Sequence, residues 1–446
     1  MDLLIGVALV LGVMILVHEW GHFIMARLFG VRVDVFSIGF GPRLFGWKRG
    51  YTDYRISALP IGGYVRMAGQ DLSEIDSGNK APTGAQDELM SKPRWQRALI
   101  SFAGPAVNLV FPVLLLATYF VSVGVPYPSY QDKPIQVTAL PADSTAEILG
   151  LQPGDRVTAI DGEQNPNWEQ AEKVLSKTPP KSKLPLEVER AGSRKTLAVP
   201  VEEKDIEQPE RLLGFAPIRP IMEDVMPGMP AARAGLKEGD LIAGVNGQKI
   251  QWWGEFTERI RGSNGHPVSL DVDRNGHDVH VVVTPQQAAN DRGETIYQIG
   301  VQVHQDVAYR RVSLAQGVSL AGAKTWDTIQ ETVGVVGKLF SGKASLKQMY
   351  GPVGISRAAG QAAHKGSLAI ISLMVLISIN LGILNLLPIP ILDGGHILLL
   401  AIEGGIRRDL SLAFKERFVQ VGLVFLLVVF AIVMYNDVVR LLPIHS

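Results

Sequence analysis

Two histidines and a glutamate lie close together near the start of the chain, in His18-Glu19-Trp20-Gly21-His22. On an α-helix, residues four positions apart lie one above the other on the same face, so both imidazoles can reach one metal ion. Glu19 lies about 100° further round the helix, where its carboxylate can take a proton from water. This spacing is typical of catalytic zinc sites. It predicts His18 and His22 as zinc ligands and Glu19 as the general base.

The surroundings of this motif help to distinguish a functional site from a chance pair of packed histidines. The motif lies inside an apolar run, 3–29, that carries no charged residue before His18. Ionisable groups inside a membrane helix cost free energy unless they bind a ligand or one another. The apolar setting therefore favours a functional role for the motif.

The composition excludes several classes of protein. Hydrophobic residues make up 47% of the 446 residues and charged residues only 19%, which is too apolar for a wholly soluble enzyme. The chain has 43 basic and 43 acidic residues, so its charge gives no support to nucleic-acid binding. It contains no cysteine, which leaves histidine, aspartate and glutamate to hold a metal.

Four apolar segments are long enough to cross a bilayer, which requires about 20 residues. We predict four transmembrane helices, at 1–30, 98–125, 367–393 and 417–440. The first carries Asp2, has no basic residue before its apolar run and lacks a small-x-small cleavage site, which favours a retained span over a signal peptide. Lysine and arginine are concentrated in the connection 31–97 and in a predicted loop at 394–416. This bias places both on the cytoplasmic side and the middle of the chain on the other side.

The connection 31–97 has the alternating pattern of β-strands. Apolar and polar residues alternate over 31–35 and 54–57. We predict a small membrane-associated sheet on the cytoplasmic side, followed by a loop at 70–92. The last predicted strand, 62–67, is either a packing element or an exposed edge that pairs with an extended substrate strand.

The second predicted span opens with the small residues Ala103-Gly104-Pro105, followed by Asn108. Small residues let membrane helices approach one another closely. Asn108 needs a polar partner inside the membrane. We interpret this motif as structural.

An internal repeat decides the organisation of the middle of the chain. The Gly-Asp turn at 154–155 corresponds to the one at 239–240, 85 positions later, and the surrounding order of strands, turns and helix is the same. The two copies resemble PDZ domains in tandem, at 127–220 and 221–310. A PDZ groove binds extended peptide tails by strand addition. The alternative is a spacer that binds no ligand.

The segment 311–366 separates the repeats from the third predicted span. Its apolar residues recur at spacings of three and four, which predicts an amphipathic helix and a connector. The helix either packs against the spans or lies on the membrane surface, and packing is the better fit. Gly351-Pro352 then predicts a break.

The third predicted span contains residues that an inert lipid-facing helix would avoid. Four of them precede Asp393: Asn380, Asn385, Pro388 and Pro390. If the chain turns back after Pro388, Asp393 meets the two histidines and completes a catalytic zinc shell as the third ligand. The alternative is that Asp393 caps a glycine turn outside the membrane. His396 is not required, because three protein ligands suffice.

Three motifs together resemble the site-2 protease family of intramembrane zinc metalloproteases. They are His18-Glu19-x-x-His22, Ala103-Gly104-Pro105-x-x-Asn108 and Leu392-Asp393-Gly394-Gly395. The resemblance implies a multi-pass α-helical membrane protein, with four transmembrane helices and a small membrane-associated β-sheet, plus two tandem PDZ domains. It implies one Zn²⁺ per chain, held by His18, His22 and Asp393, with Glu19 activating water.

The same resemblance implies how substrates bind and what they are. The implied substrate-binding residues are Gly62, Gly63, Tyr64, Val65, Arg66, Met67, Asn380, Asn385, Pro388 and Pro390. The implied substrates are single-span membrane proteins, namely a trimmed anti-sigma factor of the envelope stress response and remnant signal peptides. The implied location is the bacterial inner membrane, among lipid. The PDZ domains are expected to be periplasmic and the active site to lie towards the cytoplasm.

Two other functions remain open from the sequence. A membrane metal transporter would also place histidine and aspartate in its spans, although it needs no general base. A scaffold that gathers membrane partners through its PDZ domains needs none of the four residues His18, Glu19, His22 and Asp393.

Overall fold

The computed structural model describes residues 2–70, 83–289, 295–342 and 351–441. The chain forms two compact units. The helical unit comprises Met1–Val125 and Arg311–Ser446, and the repeat unit comprises Pro126–Arg310. Residues 71–82 of the predicted loop lie outside the described residues.

The helical unit begins with two long helices separated by a pair of strands. In chain order these are α1 (Asp2–Leu28), β1 (Val33–Arg49), β2 (Thr52–Met67) and α2 (Arg94–Ser122). Helix α1 is apolar and ends with Arg27 in its last turn, where a positive charge is favourable. Helix α2 begins after Pro93 and contains Pro105 and Pro112. Prolines are tolerated inside membrane helices because neighbouring groups satisfy the freed backbone.

Strands β1 and β2 both bend, so that the pair forms a sheet of four runs, in the order 43–49, 52–57, 33–38 and 63–67. Gly39 and Gly41 have φ angles of +89° and +87°, which other residues rarely adopt, and they allow β1 to bend. The run 63–67 pairs with 33–38 on one side. None of the described strands pairs with its other side, so this run is an edge of the sheet.

The next part of the chain contains short strands and helices. They are β3 (Val125–Pro128), α3 (Thr145–Ile148), β4 (Arg156–Ile160), β5 (Glu163–Gln164), α4 (Trp168–Lys177), β6 (Lys183–Arg190), β7 (Ser193–Pro200), α5 (Glu203–Glu207), α6 (Glu210–Leu213), β8 (Met222–Val225), α7 (Pro230–Arg233), β9 (Leu241–Val245), β10 (Gln248–Lys249), α8 (Trp253–Gly262), β11 (Val268–Arg274), β12 (His277–Val283), β13 (Gln286–Ala289), β14 (Thr295–Gln298), β15 (Val301–Val303) and β16 (Val307–Arg310).

Two four-stranded sheets in the repeat unit share one topology. Their strand orders are β5-β4-β6-β7 and β10-β9-β11-β12. Each sheet has its own core, built around Trp168 and Leu175 of α4 in the first copy and around Phe256 and Ile260 of α8 in the second. The sequence repeat therefore corresponds to two copies of one fold.

Each copy buries an aspartate at its Gly-Asp turn. Asp155 accepts two hydrogen bonds of 2.6 Å from Arg190, and Asp240 accepts bonds of 2.7 and 2.8 Å from Arg274. The bonds from Arg190 hold the pKa of Asp155 below its ordinary value. Burial raises the pKa of Asp240, but the bonds from Arg274 and from the Lys237 backbone outweigh it, so the pKa is lowered.

The rest of the helical unit is a series of helices: α9 (Leu314–Phe340), α10 (Pro352–Lys365), α11 (Ser367–Asn385), α12 (Asp393–Ile406) and α13 (Leu412–Leu441). Ala321 and Ile329 of α9 pack with Leu116 and Phe120 of α2 and with Ile379 of α11. Helix α9 therefore contacts the other helices through one face, while its apolar residues Val318, Trp326 and Val333 are exposed, so both predicted positions stay open.

Three of the described helices are long and apolar enough to cross a membrane, at Arg94–Ser122, Ser367–Asn385 and Ala413–Val439. They belong to the same unit as the bent sheet. The coarse prediction of a helical membrane protein that also contains β-sheets agrees with this architecture.

The prediction of a loop at 394–416 is wrong for most of its length. The third predicted helix ends at Asn385, and a new helix, α12, begins at Asp393 and ends at Ile406. Pro388 and Pro390 end the first helix because proline lacks the backbone N–H that a helix needs. The apolar residues after Asp393 then form a second helix.

Candidate metal centre

The side chains of His18 and His22 on α1 meet that of Asp393, the first residue of α12. His18 Nε2 lies 3.2 Å from Asp393 Oδ2, and His22 Nε2 lies 3.5 Å from Asp393 Oδ1. The two Nε2 atoms are 3.2 Å apart. Both histidines are buried, and the side chain of Asp393 is 18% exposed. The three side chains thus converge on one sheltered point.

The donor atoms of this cluster fit a tetrahedral zinc ion. Ligands at about 2.0–2.1 Å from tetrahedral zinc lie about 3.3 Å from one another, close to the three separations above. His22 Nδ1 donates to the Ile100 carbonyl at 2.8 Å, so the neutral ring has its lone pair on Nε2, facing the cluster. Imidazole nitrogens and a carboxylate that face one another in this way are suited to a cation such as zinc.

Glycines allow α1 and α2 to approach closely enough for this cluster to form. A Cβ atom at Gly104 would lie 2.3 Å from His22 Nε2, and a Cβ at Gly21 would lie 2.5 Å from the Ala103 carbonyl oxygen. Any larger residue at either position would push the helices apart. The small residues of the second predicted span therefore have a specific function, which is to make room for the His22 imidazole.

The turn before α12 is equally tight. A Cβ at Gly394 would lie 2.3 Å from the Leu387 carbonyl oxygen, and a Cβ at Gly395 would lie 2.3 Å from the Ile389 carbonyl oxygen. The two glycines let the first turn of α12 fold against the chain that follows α11. This fold brings Asp393 to the two histidines.

A cavity of about 690 Å³ lies beside the cluster. Its walls include the three candidate ligands, Glu19 and the edge run 63–67. Gly63 lies directly against the proposed base, because a Cβ there would be 3.3 Å from Glu19 Cγ. The base, the metal ligands and the unpaired strand edge therefore border one space.

The residues predicted to bind substrate fall into two groups. Those that line the cavity are Gly62, Gly63, Tyr64, Val65, Met67 and Asn385. Those that are not among the described residues lining it are Arg66, Asn380, Pro388 and Pro390. Pro390 instead contacts α13, where a Cβ at Gly422 would lie 2.3 Å from Pro390 Cβ.

Sequence reasoning missed a contact of Asn108 with one of the candidate ligands. Asn108 is fully buried, and its Nδ2 atom lies 3.2 Å from His18 Nδ1. The available signal was its spacing from Gly104, since residues four apart share one face of a helix. The face of α2 that makes room for His22 is therefore also the face that reaches His18.

A second group of charged side chains on this cavity was also missed. Glu403 on α12 is 1% exposed and lies 3.1 Å from Lys415 Nζ, while the Leu410 N–H donates to it at 3.0 Å. One guanidinium nitrogen of Arg94 and one of Arg97 are each 3.9 Å from the same carboxylate. In the sequence, these basic residues indicate only which side of the membrane is cytoplasmic.

The chain is similar to one known protein family and to several known proteins over nearly its whole length. The model of Peptidase family M50 matches residues 6–429. Regulator of sigma-E protease RseP of Escherichia coli is 32% identical over 450 residues, which cover 97% of each chain. Proteins of Vibrio cholerae and Neisseria meningitidis, both provisionally named zinc metalloproteases, are also 32% identical, over 98% of this chain and 98% and 99% of theirs. These names agree with the predicted zinc cofactor.

A solved structure, the PDZ domain of an SdrC-like protein from Listeria innocua, resembles part of the chain at 22% identity and a TM-score of 0.18. It covers 21% of this chain and 99% of its own, and a similarity at this level does not establish a fold. The family model, in contrast, matches most of the chain. This match confirms both the resemblance and the metalloprotease activity predicted from the motifs. The chain belongs to Peptidase family M50, the site-2 proteases.

Proposed function

We propose that this chain is an intramembrane zinc endopeptidase that cleaves single-span membrane proteins, with His18, His22 and Asp393 as zinc ligands and Glu19 as general base. One observation carries the proposal: the His18 and His22 Nε2 atoms lie 3.2 Å apart, and each lies within 3.5 Å of an Asp393 carboxylate oxygen, on the same cavity as Glu19 and an open strand edge. Peptide hydrolysis needs all of these groups together. Metal transport needs neither the base nor the edge.

The protein groups have distinct functions in hydrolysis. When bound, zinc supplies a Lewis acid that polarises the peptide carbonyl and makes water more acidic. Glu19 accepts a proton from the attacking water and donates it to the leaving amine. The hydrogen bond from His22 to the Ile100 carbonyl fixes the orientation of that imidazole.

The edge run 63–67 orients the substrate. A membrane helix uses its own carbonyl groups in internal hydrogen bonds, so a substrate span must become extended before it is cut. The unpaired side of this run offers backbone groups to an extended strand. Because Gly63 contacts Glu19, a strand paired here would bring its peptide bonds close to the base.

The topology and the substrates form the finer part of the proposal. Helix α1 is a fourth span, and 127–220 and 221–310 are two tandem PDZ domains that accept extended peptide tails. The basic connections support an inner-membrane protein with periplasmic PDZ domains and an active site towards the cytoplasm. The relative named regulator of sigma-E protease supports an anti-sigma factor as one substrate, and remnant signal peptides are another.

Glu19→Gln tests the proposal most simply. Cleavage of a labelled single-span peptide by the purified full-length chain should fall by on the order of 10³, because general acid–base catalysis contributes about 10²–10⁴. Zinc per chain should stay at one, because Glu19 is not a ligand. A chelator should abolish cleavage by the unmodified protein.

Glu331→Gln is the matched control, since Glu331 is an exposed glutamate on α9. It should cleave at the normal rate. Full activity in Glu19→Gln would refute the general base. Uptake of zinc into vesicles that contain the protein, with no cleavage of the labelled peptide, would refute the peptidase activity.

A further inference from the structure

Asn108 has a buried side-chain amide in which one polar atom has a hydrogen-bond partner among the described residues and the other has none. The residue is 0% exposed, and its Nδ2 atom lies 3.2 Å from His18 Nδ1. Its Oδ1 atom is buried and has no hydrogen-bond partner among the described residues. A buried amide oxygen without a partner is destabilising. The observed arrangement therefore leaves an acceptor unsatisfied beside a candidate metal ligand.

The chemistry of a histidine ligand decides which end of the amide should face His18. An imidazole that binds a metal through Nε2 is neutral and carries its proton on Nδ1, and that N–H normally donates to an acceptor. His22 meets this requirement through the Ile100 carbonyl. For His18, the amide of Asn108 is the polar group in contact with Nδ1. Only the oxygen of that amide can accept a hydrogen bond from this N–H.

We propose that Asn108 presents Oδ1, not Nδ2, to His18 Nδ1 and acts as the positioning residue that sets the tautomer of this zinc ligand. The oxygen and nitrogen of a side-chain amide exchange places by a half-turn of its last torsion, with almost no change in shape. The exchange lets Oδ1 accept a hydrogen bond from His18 Nδ1–H and moves the amide nitrogen to the position that Oδ1 leaves. It also leaves the lone pair of His18 on Nε2, which lies 3.2 Å from Asp393 Oδ2.

The fold holds Asn108 in place for this function. The Ser378 hydroxyl of α11 donates to the Asn108 backbone carbonyl at 2.7 Å, and both residues are fully buried. Helix α2 thus supplies the acceptor for each histidine, a backbone carbonyl for His22 and a side-chain amide for His18. Only the second can be removed by substitution. The inference rests on the proposed function, since it takes His18 as a zinc ligand.

Substitution of Asn108 tests the inference through zinc affinity rather than activity. Zinc affinity is measured on the full-length protein in detergent, by competition with a chromophoric chelator. Asn108→Leu keeps the approximate shape and removes the acceptor, so affinity should fall by about 10–100-fold. Asn108→Asp keeps an acceptor oxygen, so its affinity should remain well above that of Asn108→Leu. Equal losses in the two variants would overturn the inference, as would normal affinity in Asn108→Leu.

Ser122→Ala is the matched control, because it removes a side-chain hydrogen bond of 2.7 Å at the end of α2, fourteen residues beyond Asn108. It should leave zinc affinity unchanged. His18→Ala separates this inference from the proposed function. Unchanged affinity in His18→Ala would remove His18 from the ligand set and the inference with it. A loss in His18→Ala together with normal affinity in Asn108→Leu would overturn the inference alone.

A spectroscopic measurement on the unmodified protein reports the tautomer of His18 directly. Nitrogen-15 NMR of labelled histidine in the zinc-loaded chain distinguishes a proton on Nδ1 from one on Nε2. We expect the proton of His18 on Nδ1, with a signal that is absent in His18→Ala. A proton on Nε2 of His18 would contradict the assignment.

Discussion

Helix α12 carries a carboxylate near each end, half-buried at Asp393 and buried at Glu403, and the two have opposite surroundings. Asp393, at its start, faces the Nε2 atoms of two imidazoles at 3.2 and 3.5 Å. Glu403, ten residues later, lies 3.1 Å from the Lys415 ammonium and 3.9 Å from guanidinium nitrogens of Arg94 and Arg97. Both residues line the same cavity.

In our proposal this difference separates a structural carboxylate from one that binds a metal. A buried carboxylate is costly unless a positive charge lies close to it. Lys415, Arg94 and Arg97 supply that charge to Glu403. These contacts join α12 to α13 and to α2. Asp393 faces two imidazoles, which offer lone pairs to a cation when they are neutral, so a bound cation can supply the positive charge there. In our proposal the same helix therefore combines a fixed ionic anchor with a metal ligand.

The largest expected effect is on metal binding at the Asp393 end. Asp393→Asn should weaken zinc binding by at least about 10²-fold, because it removes one of three protein ligands and the only formal negative charge among them. Glu403→Gln should still bind one zinc per chain. Metal analysis after dialysis measures both. Loss of zinc from Glu403→Gln but not from Asp393→Asn would reverse the comparison.

The next effect is on stability at the Glu403 end. Glu403→Gln should lower the free energy of unfolding by about 3 kcal/mol, because three cations would then surround a neutral amide. Thermal unfolding of the full chain in detergent, followed by tryptophan fluorescence, measures the loss. Glu416→Gln, an exposed glutamate on α13, is the control and should unfold normally. A Glu403→Gln protein as stable as this control would show that the cluster does not anchor the helices.

A double substitution sharpens the electrostatic explanation. Lys415→Met in the Glu403→Gln background removes one of the unmatched charges and should recover about 1–3 kcal/mol relative to the sum of the single changes. A double-mutant cycle on the same unfolding measurement gives this coupling energy. Strict additivity of the two changes would mean that Lys415 and Glu403 do not interact.

The smallest effect concerns Asp155 and Asp240, which form ion pairs with arginines outside the membrane helices. The pKa values of Asp155 and Asp240 are lowered in the folded protein, so their ion pairs stabilise it above the unfolded value of about 3.9. This stabilisation should be lost as the pH falls below about 4 and through the lowered values. Hydrogen exchange of the repeat unit at pH 3 and 6 measures it. Asp155→Asn should flatten the dependence in the first copy, and an unchanged profile would contradict the assignment.

The sequence was most informative where function restricts residue types. The i, i+4 histidines and the aspartate of the Leu-Asp-Gly-Gly motif could be named together, and the structure brings their donor atoms within 3.5 Å. The resemblance to site-2 proteases is confirmed by the family match. Repetition of the Gly-Asp turn indicated two similar domains, and two sheets of identical strand order are observed.

The parts that could not be predicted depend on packing between distant segments. The sequence shows basic residues just before the second predicted span and a glutamate in 394–416, but not that Arg97 and Glu403 are neighbours. Asn108 was interpreted as structural because its neighbour on α1 depends on how close Gly104 lets the helices come. The sequence predicts a loop where α12 lies, because charge bias reports the side of the membrane and says nothing about local structure.

X-ray absorption at the zinc edge of the loaded full-length protein tests the central assignment most directly. The proposed site predicts two imidazole ligands, with nitrogen and oxygen neighbours at about 2.0–2.1 Å. A spectrum that requires three imidazoles per zinc would implicate another histidine, such as His396 on the same cavity, and would contradict the ligand set of His18, His22 and Asp393.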